Sequence, residues 1–241
     1  MKHCFITATG TDVGKTIVTA GLVRALRNRG IDAVTMKPMQ TGIPNEDASD
    51  AIAIPSDLDV HLTATGYVPT KDEKKRMMPY TYEPACSPHL AARLAGHTPD
   101  MDHIVTCATQ LASDHDVILA EGAGGILAPI DEERTMLDLM VTLGWPVLLV
   151  AHRGLGTINH TLLSINELRH AGLDIMGVVF NETEDVEPDF IKLDNPDAIA
   201  KFGKVRILGN IDYLNNLDTD PDIAWSHFET CCPDLVALWT S

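Results

Sequence analysis

The chain has 241 residues, 45% of them hydrophobic and 22% charged, so it can bury a sizeable core as one α/β domain or two small ones. A formal net charge of −16 argues against nucleic acid or an anionic membrane as the main partner, and no apolar run approaches the ~18–20 residues that span a bilayer. Five cysteines (Cys4, Cys86, Cys107, Cys231, Cys232), an odd number with no C-x-x-C pair, and a short apolar stretch without a signal-peptide layout after Met1-Lys2-His3 lead to the expectation of a reduced, cytoplasmic protein.

Cys4–Ala8 is predicted as a strand and Gly14–Arg29 as a helix closed by Gly30. Ala33–Met36 reads as a second strand leading into Lys37-Pro38, and Ala48–Ile54 as a short helix. Residues 55–86, with Pro55, Pro69, Pro79 and Pro84, are expected to be irregular. Their basic cluster Lys71, Lys74, Lys75 and Arg76 reads as a solvated loop or mobile cover. Ser87-Pro88 starts a helix, with serine as N-cap and proline at the first helical position. Then come a helix over Asp102–Ala112, a strand over Val117–Ala120, a helix over Thr135–Leu143 and a strand over Val147–Ala151. A long helix Thr157–Ala171 closed by Gly172, a strand Ile175–Phe180, a helix over Pro196–Phe202 and a strand Val205–Leu208 complete the series. The tail after about Asn215 carries no clear pattern. Strands that are apolar throughout and alternate with helices imply one doubly wound α/β domain over 1–241, a mostly parallel sheet with helices on both faces.

Ligands bind beyond the carboxyl ends of the strands in such a sheet, so the residues that follow each strand carry the chemistry. Phe5–Thr16 reads FITATGTDVGKT, a strand running into Gly14-Lys15-Thr16 at the start of a helix. This is the pattern of a phosphate-binding loop of the P-loop NTPase type. Loop N–H groups and the helix N-terminus cradle a polyphosphate, Lys15 reaches the β- and γ-phosphates, and the Thr16 hydroxyl sits on Mg²⁺. One position departs from G-x-x-x-x-G-K-[ST]: Thr9 takes the place of the first glycine, which comes one residue late at Gly10. Val117–Glu121 resembles a Walker B strand with glutamate as its terminal carboxylate, able to bind Mg²⁺ directly or through water, and Gly122-Ala123-Gly124-Gly125 let the backbone pass close to a ligand. Lys37 alone reads as a solvated lysine. Beside the phosphate loop it becomes a cation for charge that develops in phosphoryl transfer. Ser49-Asp50 reads equally as a helix N-cap. Gly154–Asn159 lacks the third glycine of a dinucleotide fingerprint, but a helix N-terminus at Thr157 is a site for a carboxylate. The ten histidines show no metal-ligand spacing.

Ala8–Thr16, Lys37–Gly42, Ser49-Asp50-Ala51, Ser87-Pro88-His89, Glu121–Gly125, Gly156–His160 and Val178–Asn181, in that order, resemble dethiobiotin synthetase, an ATP-dependent carboligase of biotin biosynthesis. The resemblance covers residues 2 to 214. It implies that 7,8-diaminononanoate, CO₂ and ATP give dethiobiotin through a carbamate and a carbamic–phosphoric anhydride, with Mg²⁺. It places Asp12, Val13, Gly14, Lys15, Thr16, Ile17, Asp50, Glu121, Gly122, Ala123, Gly124 and Asn181 around ATP. Asn181 would read the adenine edge, and Asp12 would lie near the substrate amine or the nucleotide. Thr16, Asp50 and Glu121 would hold the metal, and Lys15 and Lys37 would be catalytic. Thr41 would bind the amine or carbamate end, and Gly156, Thr157 and Asn159 the substrate carboxylate across a homodimer interface. The family usually has proline where this chain has Asp212, and residues 60–80 depart from its pattern. Two other readings remain. A related P-loop ATP-dependent amide ligase would carry a glutaminase domain for which 241 residues leave no room. A nucleotide-switched partition-type ATPase would carry a second lysine in the loop, where this chain has none.

Overall fold

The computed structural model describes residues 2–43 and 55–240. Its main sheet has six parallel strands in the order β2-β5-β1-β6-β7-β8: β1 (His3–Ala8), β2 (Ala33–Met36), β5 (Val117–Glu121), β6 (Val147–Ala151), β7 (Ile175–Asn181) and β8 (Ile207–Ile211). The chain first moves from β1 outward to β2, returns to insert β5 between them, and then crosses β1 to add β6, β7 and β8. The order reverses at β1, so the loop after β1 lies at the switch point where such sheets bind ligands.

Val117–Glu121 and Val147–Ala151 are buried at every residue, as sequence-wide apolarity requires of strands covered on both faces. One face packs on α1 (Lys15–Asn28) with the C-terminal helices α9 (Pro221–Cys231) and α10 (Pro233–Thr240), through Leu22, Leu26, Trp225, Phe228 and Leu235. Phe228 lies flat on Gly21 of α1, where a Cβ would come within 2.7 Å of its ring. The opposite face packs on α4 (Pro88–Ala95), α5 (Met101–Asp114) and α6 (Met136–Leu143) through Phe5, Ile104, Leu111 and Leu139. The β6–β7 side is covered by α7 (Thr157–His170) and α8 (Phe190–Gly203).

Four expectations need correction. Residues 55–86 are not irregular: they form α2 (Asp57–Thr65), α3 (Lys71–Met77) and β4 (Tyr80–Tyr82), and β4 pairs in parallel with β3 (Met39–Thr41) as a second, two-stranded sheet. The prolines punctuate these elements instead of preventing them. Pro55 and Pro69 each precede a helix N-cap, and capping boxes Ser56/Asp59 and Thr70/Glu73 close both helix starts. The basic cluster is therefore helix α3, not loop, with Lys74 paired to Asp59 and Arg76 to Asp114. The helix expected over Pro196–Phe202 begins earlier, at Phe190, because Asp189 caps it by accepting from the N–H groups of Ile191 and Lys192, with Pro196 inside. The last strand is Ile207–Ile211, shifted from Val205–Leu208, and the unpatterned tail is two helices, α9 and α10. The helix expected over 48–54 lies outside the described residues.

Candidate active site

Parallel strands bring the loop after β1, Lys37 after β2, Glu121 at the tip of β5, the turn after β6 and Asn181 at the tip of β7 to one edge of the sheet. A cleft of about 1260 Å³ opens there. The phosphate loop (Thr9–Asp12 and Gly14–Thr16), Lys37, Glu121 and Ala123–Ala128 form its floor. Met39–Thr41 and Ala85–Pro88 form one wall, and His160, Leu163, Ser164 and Glu167 of α7 form another. The volume suits an elongated ligand beside a nucleotide polyphosphate.

The loop's conformation depends on Asp12 and Gly14, which adopt the left-handed region with φ of 58° and 86°. Gly14 has a second reason to be glycine: a Cβ there would stand 2.1 Å from Asn181 Nδ2. Asn181 donates from that nitrogen to the carbonyls of Val13 and Glu182, at 3.3 Å each, so the tip of β7 braces the loop from behind. Gly10 has no such requirement, since a Cβ there would meet open space. The late glycine of the sequence pattern is thus sterically undemanding.

Lys15 donates to the Gly10 carbonyl at 3.1 Å, folding its side chain back over the loop. Burial, and then the neighbouring Lys37 charge, lower its pKa from 10.5 to about 8. Lys37 lies buried between carboxylates, 2.9 Å from Glu121 Oε1 and 2.5 Å from Asp57 Oδ2, and donates also to the Gly122 carbonyl at 3.1 Å. Burial opposes its charge, but Glu121 and Asp57 outweigh burial and hold its pKa above the ordinary lysine value. Glu121 is fully buried. Burial alone would raise its pKa; the Lys37 charge and the His61 hydrogen bond take it far below the usual carboxylate range. The Thr16 hydroxyl lies 3.0 Å from Asp57 Oδ1 and 3.2 Å from Glu121 Oε1. Three hard oxygen donors thus meet at the start of α1, the chemistry that suits Mg²⁺ and not a soft metal.

Two of these residues escaped the sequence reading. Asp57 stands beside Thr16 and Lys37 as the first residue of α2, held there by the Ser56 cap and by its own N–H donating to Gln40 Oε1 at 3.2 Å. Its signal is a second Ser-Asp pair, Ser56-Asp57, seven residues after Ser49-Asp50. Asp50, expected as a metal ligand, lies outside the described residues. His61, one helical turn after Asp57, spans Glu121 Oε2 at 2.9 Å and the Thr35 hydroxyl at 3.1 Å. A lone histidine in sequence gives no hint of that contact.

Asp12, Gly14, Lys15, Thr16, Lys37, Thr41, Glu121, Ala123 and Gly124 line the cleft. Val13 and Ile17 face the core instead, and the Gly122 carbonyl receives Lys37. Gly156, Thr157 and Asn159 are not in the cleft wall: Thr157 is buried with its hydroxyl 3.3 Å from that of Thr161, while Gly156 and Asn159 are exposed.

A family model described as an AAA domain matches residues 2–220. An ATP-dependent dethiobiotin synthetase BioD of Anaeromyxobacter sp. (strain K) is 39% identical over 225 residues, 93% of each chain. The chain belongs to the dethiobiotin synthetase family. The synthetase of Anaeromyxobacter sp. (strain Fw109-5) is 41% identical over 90% of this chain and 92% of its own, and that of Halalkalibacterium halodurans 38% identical over 91% and 88%. Among solved structures, the MinD cell division protein of Aquifex aeolicus superposes with a TM-score of 0.57 at 17% identity, covering 100% of this chain and 97% of its own. At that identity the likeness shows a shared P-loop fold for this member of the synthetase family and nothing of MinD's role. Among the described residues, no helix is long and apolar enough to cross a membrane.

Proposed function

We propose that the cleft closes the ureido ring of 7,8-diaminononanoate with CO₂ at the expense of ATP, giving dethiobiotin, ADP and phosphate. The observation that carries this reading is Lys37. It is a buried cation fixed between Glu121 and Asp57, beside the phosphate loop and facing the Thr41 wall. One amine of the diamine takes up CO₂ as a carbamate. A carbamate oxygen attacks the γ-phosphorus, the bond to the β-bridging oxygen breaks, and ADP leaves. The second amine then attacks the anhydride carbon, the carbon–oxygen bond breaks, phosphate departs, and the attacking nitrogen gives up one proton, as the first did on taking up CO₂, so that each ureido nitrogen keeps one N–H. The protein contributes position and charge rather than covalent chemistry.

In this reading Lys15 and Lys37 offset charge on the transferring phosphoryl group and the carbamate. Asp12 and Thr41 orient the amine end. Asn181 supports the nucleotide end through its brace on the loop. Thr16, Asp57 and Glu121 would hold Mg²⁺, and the family resemblance adds Asp50 as a further ligand. When bound, Mg²⁺ would neutralise the β- and γ-phosphate oxygens. The Gly156–Asn159 helix start would bind the substrate carboxylate of a partner subunit's cleft. Two features support a homodimer: these residues lie outside this chain's own cleft, and Leu155 and Leu163 beside them are exposed at 85% and 60%. The acidic charge favours no nucleic-acid or membrane partner, the one six-stranded main sheet supports a single domain, and the five free cysteines support a cytoplasmic location. Phosphate release from Mg-ATP and bicarbonate should depend on added 7,8-diaminononanoate. Equal release without the diamine would overturn the proposal.

A further inference from the structure

Away from the cleft, α9 places His227 and Cys231 four residues apart, on one helix face, with Nε2 3.5 Å from Sγ. Asp212, the first residue beyond β8, brings its carboxylate to the same point. One donor atom from each of the three lies within 4.8 Å of the other two. Imidazole, thiol and carboxylate form a mixed set that suits Zn²⁺ and its neighbours in the first transition row, not the hard cations of the cleft.

The surroundings already orient these groups. Asp212 Oδ1 receives Nη2 of Arg153 at 2.8 Å, which leaves its second oxygen for another partner. Arg153 is buried and anchored by Nε on Glu182 at 2.9 Å, so the carboxylate is held from behind as ligands commonly are. Burial holds the Cys231 thiol above its ordinary pKa, and the Asp212 backbone N–H offsets only part of that rise. Cys231 is half-buried and its two companions are exposed, giving an ion a path in. None of the three lines the cleft.

We propose that Asp212, His227 and Cys231 bind one divalent transition ion of the Zn²⁺ class, with water completing its shell. The ion would fasten α9 to the end of β8. It would thereby steady Phe228 against Gly21 of α1, the helix that starts with Lys15 and Thr16. Binding would displace the thiol proton to solvent and involve no redox change.

The test is Co²⁺ titration of the chelator-stripped full chain, with Mg-ATP saturating the cleft. One equivalent should produce a thiolate-to-cobalt charge-transfer band that stoichiometric Zn²⁺ abolishes. Cys231→Ser should lose the band and bind more than about tenfold more weakly. Cys86→Ser, at the cleft wall, should keep both. Zn²⁺ should raise the melting temperature of the wild type and leave that of His227→Gln unchanged. His227 is exposed, so His227→Gln remains informative if Cys231→Ser folds poorly. A folded wild type with no charge-transfer band, or a band that survives in Cys231→Ser, would overturn the proposal, as would equal Zn²⁺ stabilisation of His227→Gln.

Discussion

Lys37 and Lys15 are both buried cations, yet their surroundings push them in opposite directions. Lys37 is matched by Glu121 and Asp57, so it stays charged across the physiological range. Its effect should fall on the transition state. Lys37→Ala should lower kcat by about 10²–10³ while changing the Kd for ATP far less. Single-turnover rates beside calorimetric ATP affinities check this, with a melting curve to confirm folding, and equal losses in both would count against the role. Lys15 has a carbonyl for a partner and titrates near pH 8. The folded state depresses a basic pKa, so the unfolded chain binds more protons between pH 8 and 10.5, and stability rises with pH through that window. ATP phosphates restore the charge. Nucleotide binding at pH 8 should therefore take up about half a proton, seen as a buffer-dependent binding enthalpy and lost in Lys15→Met. The residues missed by sequence reasoning are of this scale. Lys15 and Thr16 close the loop motif between β1 and α1, and Glu121 ends the apolar run of β5, so all three are legible from local sequence. Asp57 and His61 reach the site through the path of a separate helix, which no local pattern encodes.

At the scale of elements, α2 and α3 share one design with different consequences. Both start after a proline with a capping box. The cap of α2 also fixes Asp57 against Thr16 and Lys37, whereas the cap of α3 reaches, through Glu73, only Tyr67 and His115, away from the cleft. Ser56→Ala and Thr70→Ala should each cost about 1 kcal/mol, or about 2–4 °C in Tm. Only Ser56→Ala should also lower kcat, and matched activity losses would contradict this division. Strands β1, β2, β5, β6 and β7 and the α1, α5, α6 and α7 helices were legible because long apolar runs and amphipathic periods are strong signals. The 55–86 region was not. Its elements are seven to nine residues or shorter, and four prolines mask the caps that start them. The C-terminal helices were hidden for another reason: their apolar residues pack on α1, far away in sequence.

For the whole molecule, six parallel strands make the reversal at β1 the only place where loop, Lys37 and Glu121 meet among the described residues. The net charge of −16 leaves this cleft's positive character to Lys15, Lys37 and the loop N–H groups. If the substrate carboxylate sits on a partner's α7, two defective subunits should complement. Lys37→Ala mixed with Asn159→Ala under exchange conditions should recover about a quarter of wild-type activity, because half the dimers are mixed and each holds one intact site. No recovery between exchanging subunits would place both ends of the substrate on one chain. The most direct measurement uses ¹³C-bicarbonate, Mg-ATP and 7,8-diaminononanoate with the pure protein, followed by mass spectrometry of the product. Dethiobiotin labelled in its ring carbonyl, with one ADP and one phosphate per molecule, is the predicted result. ATP hydrolysis that ignores the diamine and yields no labelled dethiobiotin would contradict it.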